Sequence, residues 1–388
     1  MPPSDASDPS RPPTFLPLDE YRPPELPTEE TLRRALRQAR DRLLRRGGPD
    51  PLIAEDRLDR MPADRLDRLA PGPACGPVVE EMSATFAPWL GGADGPRIHV
   101  VAIPPCDEDG VVAAWAARHG LEVLTPPLRE RLIGMDAAPD LGGAGVLVIP
   151  RLEGWALRHR EGLGAVRGLL RALADGERRV MIGCGTHAWG WLAQAAGVAT
   201  QLPRPVTFRP FDAPRLRRWL AGILAAAPGD VAHVRLATTG EDVLAAGEDG
   251  APESDHLRVL AARSLGVPWI AWHLWRAGLR DTPHAKGGDA ERDDDRTLWV
   301  VEPEDPPLPR GAQTEARHVL HALLVHGPLA PDMLAATLPL VGATHVLPAL
   351  LDAGLVRRGA DGLLACVPRA YPAIRQALAN AGHPLGVA

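Results

Sequence analysis

Ile98-His99-Val100-Val101-Ala102-Ile103 runs into Pro104-Pro105-Cys106-Asp107-Glu108-Asp109-Gly110-Val111, and this stretch decides how the chain is read. The first six residues, mostly β-branched or small and apolar, predict a strand buried on both faces. The paired prolines end it, and a helix is expected over Val111–His119. A strand that turns through a short loop into a helix aims free backbone N–H groups and the positive end of a dipole at the loop, a natural anion site. Here the loop brings its own anions, Asp107, Glu108 and Asp109. As caps they satisfy the helix start and would repel a bound polyphosphate by about 1 kcal/mol each at partly screened distances. The same acids with Cys106 offer a set of metal ligands. Capping requires no further partner, so capping is the expectation and no metal is assigned.

Outward from this stretch, short aliphatic runs alternate with amphipathic helices. Strands are expected at Ile98–Ile103, Leu121–Leu124, Gly145–Ile149, Val180–Ile182 and Val206–Phe208, with helices at Leu163–Ala174, Trp189–Ala196 and Pro214–Ala225. That alternation predicts an α/β class with a five-stranded parallel sheet and right-handed crossovers. Helical periodicity continues over His256–Leu279, between acidic loops at Thr239–Asp255 and Asp281–Asp295, and a strand is expected at Leu298–Val301. From Thr314 three helices (Thr314–His326, Ala330–Thr337, Ala343–Ala353), a hairpin (Leu355–Arg358, Leu363–Val367) and a last helix (Tyr371–Ala381) spell a winged helix.

Composition sets further bounds. The net charge is −6, without the basic balance of a nucleic-acid binder. Cys75, Cys106, Cys184 and Cys366 show no paired spacing, so neither a disulfide framework nor a zinc site is indicated and a reducing cytosol is expected. No apolar run approaches a membrane span. Lys286 is the one lysine, set in an acidic loop.

The central succession resembles the AAA+/STAND-type P-loop ATPases, with a helical lid and a winged helix, over roughly residues 95–385. The resemblance implies a lysine followed by Ser or Thr in the loop after the first strand, and neither is present. It also implies an acidic pair closing the third strand, where Pro150 and Arg151 stand and Glu153 comes two residues late, expected on the surface or at a helix start. Thr186 or His187 falls at the polar sensor position after the fourth strand. Arg263, Gly266 and Pro268 resemble the lid turn that reads nucleotide state, while Trp269, Trp272 and Trp275 are expected as packing. Composition and periodicity before residue 93, and the resemblance after it, divide the chain into a disordered Pro-rich arm (1–27), a helical N-terminal extension (28–92), the core (93–228), a helical lid with acidic loops (229–302) and the winged helix (311–388). With the Walker lysine and acids missing, the expectation is a pseudo-ATPase that binds no cofactor and works as a scaffold or adaptor through another protein.

Two other functions compete. The winged helix with Arg357 and Arg358 on its wing, helped by Arg33, Arg37 and Arg40 of a helix over 28–46, would make a DNA-binding regulator. Against it, the third helix offers Thr344 and His345 but no basic residue, so DNA binding is expected to be weak. Gly183-Cys184-Gly185 between strand and helix resembles a nucleophile elbow, which would make Cys184 the centre of a cysteine hydrolase. That chemistry requires a histidine with an acid beside it, and His233 shows no such neighbour in sequence. Cys184 is therefore expected to be buried and inert. His318, His321 and His326 fall on successive turns of one helix and are expected at a partly exposed surface.

Overall fold

The computed structural model describes residues 14–26, 58–71, 75–92, 94–227, 231–247, 252, 254–281, 297–310, 312–339 and 346–386. The expected helix over 28–46 with Arg33, Arg37 and Arg40, the loop with Lys286, and the pair Thr344 and His345 lie outside the described residues. Strands in chain order are β1 (Phe15–Pro17), β2 (Asp59–Arg60), β3 (Ile98–Ile103), β4 (Glu122–Val123), β5 (Val146–Ile149) and β6 (Arg179–Gly185). They continue as β7 (Val206–Phe208), β8 (His233–Leu236), β9 (Leu279–Asp281), β10 (Thr297–Val300), β11 (Val356–Arg358) and β12 (Leu364–Cys366). Two compact units share them, one of residues 1–22, 74–209 and 305–388, the other of residues 23–73 and 210–304.

The first unit is built on the sheet β1-β7-β3-β6-β5-β4. The five strands from β7 to β4 are parallel, with Ile98 opposite Val180 and Ile103 opposite Gly185. Successive residues Val100, Val101 and Ala102 are all buried, as two covered faces require. Helices Val111–Arg118, Gly164–Asp175 and Thr186–Ala195 provide the crossovers. Packed on the sheet, Phe86 of helix Gly76–Leu90 meets Trp115 edge-on at 6.2 Å, and Trp115 is fully buried. Gly183 lets β6 approach the end of β5, since a Cβ there would lie 2.2 Å from the Pro150 carbonyl oxygen.

The sixth strand was not expected. β1 pairs antiparallel with β7, Phe15 opposite Phe208, although the arm reads as too polar and Pro-rich to pack. Three apolar residues are enough to anchor it: Phe15, Leu18 and Tyr21 are all buried, and Tyr21 meets Phe208 edge-on. A short local cluster is diluted by the average composition around it.

The C-terminal part of the same unit has winged-helix order. Helices Gln313–His326, Pro331–Thr337 and Val346–Asp352 precede the hairpin β11–β12, and Leu329 bridges Leu364 as a third, single-residue strand. Helix Tyr371–Ala379 closes it, with Tyr371 and Ile374 fully buried.

The second unit departs from an all-helical lid. Its helices His256–Arg263 and Pro268–Gly278 accompany a four-stranded sheet, β2-β9-β10-β8. Strand β2 comes from the stretch expected to be wholly helical, and helix Ala213–Ala226 belongs here rather than with the first sheet. Trp269, Trp272 and Trp275 are core residues, and Arg276 stacks over Trp272 at 4.9 Å. Turn residue Gly266 has φ +73°, and a Cβ there would stand 2.5 Å from Pro210 Cβ, so both conformation and space demand glycine.

Candidate functional site

Strand β3 is the switch point of the first sheet. The chain leaves it for β4 at one side and returns beside it as β7 on the other, and ligand crevices form at the carboxyl ends of strands at such points. A cavity of about 260 Å³ lies here. Its walls are the loop after β3, the ends of β5 and β6, and the winged helix, including Arg357, Asp361 and Cys366.

The loop has the geometry of an anion cradle already filled. Gly110, with φ +66°, turns the chain into the helix, and its N–H and that of Val111 donate to the two oxygens of Asp107 at 3.0 and 2.8 Å. Burial raises the Asp107 pKa, opposed by the Arg151 charge and the two N–H bonds. Arg151 donates to the Asp107 carbonyl at 2.5 Å and stands 3.7 Å from Glu153. Glu108 binds Arg357 of the wing at 2.5 Å. Cys106, between them, is a non-glycine residue at φ +63°, a conformation that costs about 1 kcal/mol and persists where the surroundings fix it.

Glu153 stands at a helix start, as expected, and is buried rather than on the surface. It is 4% exposed, accepts the Gly185 N–H at 3.1 Å and lines the cavity. A carboxylate four residues past the strand reaches back because residues 152–155 form a 3-10 turn. Arg129 clamps that turn, donating to the carbonyls of Glu153 and Ala156, and also to that of His326 at the end of the first winged-helix helix.

Expected site residues are thus only partly brought together. Asp107, Glu108, Gly110, Pro150, Arg151 and Arg357 line the cavity, and Arg358 is exposed on β11. Thr186 is buried with its hydroxyl unbonded among the described residues and is not part of the lining. Arg263 belongs to the second unit, where it donates to the Pro303 carbonyl; Gly266 and Pro268 form the turn there. No local pattern signals Arg129, or that Cys106, Cys184 and Cys366 line one cavity; Asp109 is exposed and is not part of that lining.

These thiols are unsuited to nucleophilic work. All four cysteines are free. Burial, then neighbouring Glu153, pushes the Cys184 thiol well up, and burial raises Cys366 to about 12. Neither ring nitrogen of His187 has a hydrogen-bond partner among the described residues, so no Cys–His pair forms. His233 does have an acid, Asp242 at 3.0 Å, contrary to the sequence reading, but that pair belongs to the second unit. Among the described residues no group of three or more metal-ligating side chains is placed to hold an ion, and no helix is long and apolar enough to cross a membrane.

In the cavity, four carboxylates (Asp107, Glu108, Glu153 and Asp361) face two guanidinium groups, both already engaged. Such a lining repels a polyphosphate.

No protein-family model and no curated protein matches the chain. Among solved structures it is similar to the ORC2 protein of Aeropyrum pernix with ADPNP and ADP, at 13% identity and TM-score 0.34, covering 78% of this chain and 93% of that one. It is also similar to the ORC1 protein of Aeropyrum pernix in complex with DNA, at 15% identity and TM-score 0.32, covering 85% and 95%. Likeness at that level carries no weight for either fold or function.

Proposed function

We propose that this chain is a pseudo-ATPase of AAA+/STAND-like arrangement, serving as a scaffold or regulatory adaptor for another protein. The observation that carries this is the Asp107 carboxylate on the Gly110 and Val111 N–H groups, where a P-loop would hold phosphate. A site whose helix-start N–H groups are satisfied by its own side chain, with Arg151 in place of a metal-binding acid, is poorly suited in charge to a magnesium-bound triphosphate. The scaffold reading is supported by a sheet and a winged helix packed into one unit. Winged-helix DNA binding is the lesser reading: Arg357 is tied to Glu108, and the described part of the third helix, Val346–Asp352, has no basic residue. Calorimetric titration of the full chain with Mg-ATP should give no heat of tight binding. Micromolar, magnesium-dependent affinity would overturn the proposal.

A further inference from the structure

The start of helix Thr186–Ala195, at the carboxyl end of β6, keeps polar groups that the chain does not satisfy. The residue before it is Gly185, and no side chain caps its first turn. Thr186 and His187 are 3% and 4% exposed. Among the described residues, neither the Thr186 hydroxyl nor either His187 ring nitrogen has a hydrogen-bond partner. Burying such groups unpaired is costly, and in a native fold it marks a place where a partner belongs.

What covers them is the segment after the last helix. Gly382, with φ +71°, ends that helix, and the His383 N–H returns to the Leu378 carbonyl at 3.1 Å. Pro384, Leu385 and Gly386 then run without regular structure, and Gly386 lies against Thr186 and His187. A Cβ on Gly386 would stand 2.6 Å from Thr186 Oγ1 and 2.9 Å from His187 Nδ1. Both are hydrogen-bond distances, so a single point beside the segment is within reach of hydroxyl and ring together. Glycine puts only hydrogen there. An oxygen at that point would bond both. The segment itself is held at Pro384, whose backbone carbonyl bonds His321, and at His383, whose ring is 5.1 Å from that of His321.

The surroundings favour an oxygen that carries negative charge. The helix start offers the positive end of its dipole. Tyr371 meets the His187 ring edge-on at 6.2 Å, and Arg375 follows one turn later on the same helix face. The Arg375 Nε is also buried without a partner among the described residues. Glu153, the carboxylate at this helix start, accepts the Gly185 N–H at 3.1 Å and lines the cavity, whereas Thr186 and His187 do not. Burial first, then the charges of His321 and Arg375, hold His187 down to about 3, so the ring is neutral and carries one proton. An acceptor oxygen draws that proton to Nδ1.

We propose that Thr186 and His187 form a binding site for a carboxylate group, closed in this structure by residues 383–386. When the segment lifts, a carboxylate oxygen accepts from the hydroxyl and from Nδ1, with the helix start and Arg375 stabilising its charge. The site is separate from the cavity after β3 and stands whether or not the pseudo-ATPase reading does.

The test uses the full chain and histidine modification by diethyl pyrocarbonate near neutral pH, read residue by residue by mass spectrometry. His187 should react slowly. Gly386→Val, which clashes with Thr186 and His187 while leaving both in place, should speed that reaction by about tenfold or more, with His326, 1% exposed, still protected. Deletion of residues 384–386 should uncover His187 equally without a clash. In either uncovered form acetate, at constant ionic strength, should protect His187 saturably, and chloride should not. Adding Thr186→Val or Arg375→Gln should weaken that protection by about tenfold. A glutamate-containing peptide run beside acetate distinguishes a protein-borne carboxylate from a small free one. His187 reacting as fast in wild type as in both uncovered forms would overturn the closure. Fast reaction in those forms without saturable protection by either carboxylate would overturn the site.

Discussion

The loop after β3 and the buried histidines of helix Gln313–His326 both put titratable groups at sheltered places of one unit, and they settle charge in opposite ways. At the loop, each charge meets a partner supplied by the chain: Asp107 with two N–H groups, Arg151 with a carbonyl, Glu108 with Arg357. On that helix, burial first and neighbouring positive groups second hold His321 and His326 well below the ordinary histidine range. A helix start with N–H groups exposed is therefore not by itself a ligand site. What matters is whether its donors already have an internal acceptor, and after β3 they do.

The largest effect that would test this contrast comes from acid. Burial holds His187 and His326 down to about 3, and His321 to about 4, against an ordinary value near 6.5. Their folded pKa values are depressed, so the stability that these neutral bases bring is present above pH ~6.5 and is lost as pH falls toward 3–4. Each should contribute a slope of about 1.4 kcal/mol per pH unit. Urea unfolding between pH 7 and 5 should show that loss, and His326→Leu should make it shallower by about one proton. An unchanged slope in the variant would mean that His326 is solvated and the crowding overstated.

Next in size is Asp107→Ala. Two buried N–H groups lose their acceptor, for an expected cost of about 2–3 kcal/mol, while Asp107→Asn keeps one acceptor and should cost less. The pH signature is opposite to that of the histidines. The folded pKa of Asp107 is raised, so this group favours folding most below pH ~3.8 and its contribution is lost as pH rises through the folded value. Thermal melts of the two variants across pH check both statements. Equal cost for Ala and Asn would show that the carboxylate is not the cap.

How much of this was legible in the sequence follows from the range of each interaction. Strands β3 and β7 could be read to the residue, because β-branched runs between turn signals act locally. The capping role of Asp107 was legible for the same reason: acceptor and donors lie within four residues. Arg129 reaching His326, 197 positions away, leaves no local trace, and neither does Glu153 turning inward, since burial depends on what packs over it. The sheet of the second unit was hidden because β2 and β9 have only two and three residues, too few for an alternating pattern. Histidines read as surface became core because helix Gln313–His326 is covered on more than its obvious apolar stripe. Leu320 through Val325 are buried without a break.

The smallest effect is expected at the seam between loop and wing. Glu108 and Arg357 are 33% and 45% exposed in their side chains, so water and salt screen the pair despite its short 2.5 Å contact. Glu108→Gln should therefore cost less than about 1 kcal/mol, and the loss should shrink further in high salt. The wing itself should stay in place, held by Leu364 on Leu329 and by buried Val356 and Cys366. Freed of its partner, Arg357 adds one cation to the exposed Arg358, and that alone should raise non-specific, salt-sensitive DNA affinity only slightly. Hydrogen exchange of β11 and β12 in wild type and Glu108→Gln provides the direct measure. Faster exchange across both strands would show that the ion pair, rather than apolar packing, fixes the wing. Charge pairing at the loop would then be structural as well as self-satisfying, and the contrast with the buried histidines would narrow to the sign of the charge.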